Sequence, residues 1–191
     1  MSQKNKKITY FDRPGEQNTD ETLKLAKERA EELDVQDIVV ASTTGETGIK
    51  VSEAFSGFNV VVVSHMTGFK EPEEQQMPEE NRRKIEANGA KVLTAMHTFS
   101  GVERAIRNKF ATAYPAEIMA QTLRIFGEGT KAAIEVVVMA ADAGLIPVSR
   151  DVIAMAGTGK GVDTALVLRP KNSTQIFDLS VKEIIAKPAT R

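Results

Sequence analysis

The chain has no cysteine, so disulfides, thiolate zinc sites and cysteine nucleophiles are all excluded. It has no surplus of positive charge either: 25 Lys and Arg stand against 26 Asp and Glu, for a net charge of −1. With so little to neutralise a phosphate backbone, nucleic acid is not an expected partner. No apolar run reaches the length of a membrane span, and the polar start MSQKNKK has no signal-peptide core behind it. A membrane partner is therefore not expected, and the expected location is cytoplasmic. Two histidines without a carboxylate cluster beside them in sequence are too few ligands for a metal site. Internal repeats and low-complexity segments are missing as well. What remains is an ordinary globular composition, 191 residues with 41% hydrophobic and 27% charged, enough for a single α/β domain over residues 1–191.

The most informative stretch is DIVVASTTGETGIKVSEAFS, residues 37–56. Its apolar run, residues 38–41, is short, β-branched and without alternation, as in a strand covered on both faces of a parallel sheet. Ser42, Thr43, Thr44, Gly45, Glu46, Thr47 and Gly48 follow, a loop of hydroxyls and glycines that leads into a short helical pattern over residues 49–55. Glycine lets such a backbone turn its N–H groups inward, and the helix start adds unpaired N–H groups and the positive end of its dipole. Together these make an anion seat, most naturally for a phosphate. The same residues also suit a plain turn capped by Thr47.

Upstream, residues 8–11 read as a short strand or extended arm, and Asn18 is placed to cap an amphipathic helix carrying Leu23, Ala26, Ala30 and Leu33. Downstream, residues 60–63 and 91–95 read as further buried strands, with a helix over residues 79–87 between them. The crossovers are long enough for helices, so these strands should run parallel. Residues 70–78 are charged and proline-interrupted, a mobile surface excursion. Helical periodicity marks residues 100–109 and 115–126. KAAIEVVVMAADA, residues 131–143, is ambiguous because Val136–Val138 favours a strand, but its length and alanines favour a buried helix. Residues 152–156 and 164–168 are two more strands, separated by a gap too short for a helical crossover, so the last should be antiparallel at one edge. An extended stretch near residues 176–179 and another at 181–185 complete the tail.

Every unusual loop falls after the carboxyl end of a strand, where open parallel sheets bind ligands. Beside residues 42–48 these are Ser64 to Phe69, with His65 and Thr67; Met96 to Gly101, with His97, Ser100 and Gly101; and Gly157, Thr158, Gly159, Lys160, Gly161, Val162 and Asp163 before Thr164. The glycines at 157, 159 and 161 lead into a strand rather than a helix, so they fail the dinucleotide test, but Lys160 can supply a point charge to an anion. Asp163 and Thr164 can orient a polar group of a ligand or simply start the strand. Ser100-Gly101 offers a second anion seat. Asp142 reads as a helix-end residue rather than a general base. No nucleophile–base–orienter set is legible, and the catalytic residues are unassigned.

This order of parts resembles the C-terminal domain of pyruvate kinase, most closely in DIVVASTTGETGIKVSEAF and next in VIAMAGTGKGVDTALVL. The likeness covers roughly residues 20–168, although residues 70–117 match only in outline. More specifically the chain is similar to small stand-alone archaeal-type proteins built on that domain. The resemblance implies a three-layer α/β/α sandwich around a mainly parallel five-stranded sheet, order 3-2-1-4-5, with strand 5 antiparallel. It also implies that Ser42, Thr43, Thr44, Gly45 and Thr47 occupy the place where regulated pyruvate kinases hold the phosphate of a sugar-phosphate effector. The phosphoryl-transfer barrel of pyruvate kinase has no room here, so pyruvate kinase activity is not expected.

Two functions follow as expectations. The first is a binding or regulatory protein for a phosphorylated small molecule or mononucleotide. Met66, Phe69, Met96 and Phe99 could cover a flat ring, which makes flavin mononucleotide (FMN) the favoured cofactor. The alternative is a flavin- or phosphate-ester-dependent enzyme using His65 or His97. Self-association into a homo-oligomer is also expected, because the related domain packs against other domains and subunits.

Overall fold

The computed structural model describes residues 5–190. Seven strands form one sheet: β1 (Thr9–Phe11), β2 (Asp37–Ala41), β3 (Asn59–Ser64), β4 (Lys91–Thr94), β5 (Val152–Ala156), β6 (Thr164–Arg169) and β7 (Ser180–Pro188). Their order is β1-β7-β6-β5-β2-β3-β4. β2 pairs in parallel with β3 and β5, β3 pairs in parallel with β4, and β6 is antiparallel to β5. The expected five-strand succession lies inside this sheet, but two of its features need correction. The sheet has seven strands among the described residues, and β6 is not an edge, because β7 pairs with it antiparallel and β1 pairs in parallel with β7. The short loop before β6 fixes its direction and leaves its second neighbour open. Burial of every residue from Thr164 to Leu168 is what an interior strand requires.

Among the described residues six α-helices flank the sheet: α1 (Thr19–Leu33), α2 (Glu46–Ala54), α3 (Glu79–Ala87), α4 (Gly101–Phe110), α5 (Pro115–Arg124) and α6 (Glu128–Asp142). Side chains alternate along a strand, so β2 sends Ile38 and Val40 one way and Val39 the other. On the first face Ile38, Val40, Val60, Val62 and Ile153 pack with Leu23, Ala26 and Ala30 of α1, Val51 of α2 and Ile85 of α3. On the second, Val39, Val61, Val63 and Ala154 pack with Ala120 of α5 and Ala133, Val136, Val137 and Ala140 of α6. The ambiguous stretch is thus helical. It is apolar nearly all round because the sheet and its neighbours cover it.

Three local readings change. Asn18 stands at the N-cap of α1 without capping it; its side-chain amide donates to the Arg13 carbonyl at 2.7 Å instead. The stretch near residues 176–179 is largely a 3₁₀ helix, Ser173–Asp178, rather than extended. The excursion over residues 70–78 is pinned at its far end: Gln75 donates to the His65 carbonyl at 3.1 Å, and Met77 is only 3% exposed.

Candidate functional site

β2 hands over to the site through Ser42. Its N–H donates to the Val63 carbonyl at 2.9 Å, carrying the β2–β3 ladder one residue further. Its hydroxyl then accepts the N–H of Gly48 at 3.0 Å. Between those anchors the chain turns at Gly45, whose φ of +90° puts it in the left-handed region. Gly45 is the N-cap of α2, so Glu46, Thr47 and Gly48 form the first helical turn instead of loop, and Thr47 does not cap. The N–H groups of Thr43, Thr44, Gly45, Glu46 and Thr47 meet no acceptor among the described residues. Five successive free donors at a helix start are a seat for negative charge.

The opposing wall is the β5–β6 connection. Asp163 is fully buried and holds it: one carboxylate oxygen accepts the N–H groups of Gly15 (3.0 Å) and Thr158 (3.1 Å), the other the Thr164 hydroxyl (2.8 Å). The loop also lies against the first turn of α1, where the Val162 N–H donates to the Thr19 hydroxyl at 3.2 Å. Gly161, with φ +68°, permits this approach, since a Cβ there would sit 2.3 Å from that hydroxyl oxygen. Lys160 is left exposed and forms no ion pair among the described residues.

A crevice of about 530 Å³ lies between the two walls. It is lined by Ser42, Thr43, Thr44, Glu46, Thr47, His65, Gly157, Gly159, Lys160 and Gly161, with Glu16, Thr19, Ala41, Lys50 and Ala132. β2 and β5 are neighbours whose chain connections leave in opposite directions, so this is the switch point of the sheet.

His65 belongs to the crevice through Thr43, whose hydroxyl lies 3.3 Å from Nε2. Its Nδ1 is 2.8 Å from the Gln76 side-chain oxygen, which can only accept, so Nδ1 carries the proton. Burial lowers the pKa of His65, against the pull of that hydrogen bond, and the neutral ring is favoured.

The remaining residues singled out in the sequence sit elsewhere. His97 is buried beyond His65, with ring centres 5.1 Å apart, and Phe69 lies 4.1 Å from His65 and 5.0 Å from His97. His97 and Ser100 line a second hollow of about 200 Å³ with Arg104, Arg107, Arg124 and Lys131. Thr67 is exposed and accepts from Gln75 at 3.3 Å. Gly45 packs toward Asn81, Gly48 toward Val62 and Gly101 toward Met96. None of Met66, Phe69, Met96 and Phe99 lines the crevice. Phe99 is in the core and Met96 is exposed, so the ring cover expected from these four is corrected.

Sequence reading missed Glu16, Thr19 and Lys50 on the rim, and Glu135 behind it. Lys50 follows Thr47 by three positions, one helical turn, which is a usable signal. Glu135 lies 3.6 Å from His97 Nδ1, takes 2.5 Å contact from Lys131, and accepts the Phe99 N–H at 3.0 Å. Burial opposes its charge, but His97 and Lys131 outweigh it and hold the carboxyl at about 2. A Lys–Glu pair four apart in the mostly apolar middle of a helix was its signature. Among the described residues no group of three or more His, Asp or Glu could hold a metal, and no helix is long and apolar enough to cross a membrane.

An open, mostly parallel sheet with helices on both faces and a polar crevice at its switch point defines the class, a doubly wound α/β domain. The family model described as "Pyruvate kinase, alpha/beta domain" matches residues 20–168, and the chain belongs to that family. β1 and β7 lie outside the matched span. Among solved structures, pyruvate kinase of Cryptosporidium parvum in complex with ADP is 15% identical, with a TM-score of 0.39 over 88% of this chain and 23% of that one. A hydrogen sulfide-producing enzyme of Fusobacterium nucleatum is 21% identical, with a TM-score of 0.30 over 50% of this chain and 29% of that one. The chain thus spans less than a third of either.

Proposed function

We propose that this protein binds a phosphorylated small molecule, in a binding or regulatory role, with the phosphate on the N–H groups of Thr43 to Thr47 and Lys160 closing from the facing loop. The observation that carries the reading is the run of five donors without acceptors, four of them on residues that line the crevice, Thr43, Thr44, Glu46 and Thr47. A phosphate dianion satisfies several of them at once and meets the positive end of the α2 dipole. Asp163 acts indirectly, holding the loop that presents Lys160. The crevice volume is in the range of small-molecule sites.

FMN is the first ligand to test. Its phosphate suits the donor set, while the side chains expected to cover its ring are not at the crevice, so the phosphate carries the proposal. Calorimetric titration with FMN and with riboflavin, which lacks only the phosphate, tests it. FMN should bind at least about tenfold tighter, as expected for one or two charge-assisted hydrogen bonds. Lys160→Ala should narrow that ratio and flatten its dependence on salt. Equal affinity for the two forms would reduce residues 42–48 to a turn. The enzyme alternative rests on His65, whose neutral imidazole borders the crevice, rather than on His97. Turnover of a phosphate ester or flavin-dependent donor lost in His65→Ala would favour it.

A further inference from the structure

The second hollow is separate from the crevice, since no residue lines both. Arg104 and Arg107 of α4, Arg124 of α5 and Lys131 of α6 border its volume of about 200 Å³, and Glu117 is the one carboxylate among its lining residues. Three of these cations already hold a partner. Arg107 pairs with Glu117 at 2.9 Å and Arg124 with Glu128 at 2.8 Å, and Lys131 pairs with Glu135. Arg104 has no carboxylate among the described residues; its guanidinium lies over the Phe69 ring, 4.3 Å from the centre.

That placement leaves Arg104 with unused donors. A guanidinium over an aromatic ring offers the ring its flat face and keeps its N–H edge free for an anion. Glu103, its neighbour in the chain, is engaged elsewhere, accepting the N–H of Ala116 at 2.9 Å and that of Glu117 at 3.3 Å. The Ser100 hydroxyl, also on the hollow, makes no hydrogen bond to the helix it precedes. Phe69 and Phe99 supply an apolar side, where a charged hydrogen bond is screened less than on an open surface.

We propose that this hollow is an anion site of its own, taking the phosphoryl group of a small molecule, with Arg104 as its anchor and the Ser100 hydroxyl as a second donor. A carboxylate is planar and suits a single guanidinium fork. Here the cations come from three helices, which suits oxygens spread over a tetrahedron. With three cations paired, Arg104 is the surplus charge that the anion meets. The volume is below that of a complete small-molecule site, so the phosphoryl group enters and the remainder of its molecule stays outside. Inorganic phosphate is therefore a sufficient probe.

Titration of the full chain with inorganic phosphate, at constant ionic strength in chloride, tests this with two local readouts. The two histidines divide the sites, His97 lining the hollow and His65 the crevice. Phosphate should move the His97 ring resonances in nuclear magnetic resonance spectra and slow hydrogen exchange over residues 100–107. Arg104→Gln should weaken both responses roughly tenfold or more, as for lost charge-assisted hydrogen bonds. Arg104→Lys keeps the charge without the fork and should restore only part. Ser100→Asp sets a carboxylate in the hollow and should abolish both responses, which keeps the test open if Arg104→Gln fails to fold. Lys160→Ala, in the crevice, should leave them unchanged. Sulfate should compete with phosphate, and malonate more weakly than sulfate. A response at His65 alone, equal responses in the wild type and both hollow variants, loss in Lys160→Ala, or malonate competing better than sulfate would each overturn the proposal.

Discussion

At the residue scale, the two glycines of the loop over residues 42–48 serve the fold more than the ligand. A Cβ at Gly48 would sit 2.7 Å from a Val62 methyl and 2.8 Å from Ile85, because α2 packs directly on β3 there. At Gly45 it would sit 2.8 Å from the Asn81 Cβ, in a conformation with φ +90°. Both directions lead into protein. Gly48→Ala should therefore cost roughly 1–3 kcal/mol, the usual range for overpacking a core. Gly45→Val should lose stability as well, through the strain of a β-branched residue at positive φ. Urea unfolding midpoints give the measurement; a wild-type midpoint for Gly48→Ala would mean that α2 does not approach β3 this closely. It follows that Gly45→Val reports on folding, and that Lys160→Ala is the cleaner test of the ligand.

At the element scale, α6 decides how the second hollow is held. Its Glu135 ties the chain after β4 to the helix through the Phe99 N–H and His97, with Lys131 balancing the charge. Breaking one member leaves a buried charge without its counterpart, and Glu135→Ala should cost about 3–5 kcal/mol. The pH dependence follows from the direction of the shift. The Glu135 pKa is depressed from 4.5 to about 2 on folding, so its contribution is complete above about pH 4.5 and is lost as pH falls toward 2. The magnitude is of the order of 3 kcal/mol. His65, also lowered on folding, adds a loss that begins as pH drops below 6.5. Thermal melts from pH 7 to 2 check this: Glu135→Gln should show a shallower acid limb, whereas an unaltered limb would remove Glu135 from the account. The helix itself was legible, since its length outweighed three consecutive valines. The role of Glu135 was not, because the loop residue it meets, Phe99, is 36 residues away and no local pattern pairs them.

At the scale of the whole molecule, the sheet shows what sequence pattern can and cannot carry. The strand–loop–helix signal around Ser42 and the parallel set from β2 to β5 were readable because short buried runs and crossover lengths are local properties. β1 and β7 were harder, since a three-residue strand and a nine-residue tail carry little periodicity, and their pairing joins the two ends of the described chain. That closure has a measurable consequence. β7 is fastened to α1 by Arg29, whose guanidinium donates to Glu183 at 2.6 and 2.7 Å and whose side chain is 10% exposed. With β7 in place, β6 has partners on both sides, so its amides should exchange with solvent about as slowly as those of β5. Amides of β4, which has one neighbour, should exchange faster. Arg29→Ala removes charge-assisted bonds worth roughly 1.5–3 kcal/mol, and the glutamate it leaves behind is only partly buried. Exchange should then quicken first in β1 and β7, next in β6, and last in β2 and β3 on the far side of the sheet. Uniform quickening across all seven strands would mean that the sheet opens only as a unit. Unchanged exchange in β7 would mean that Arg29 does not hold it.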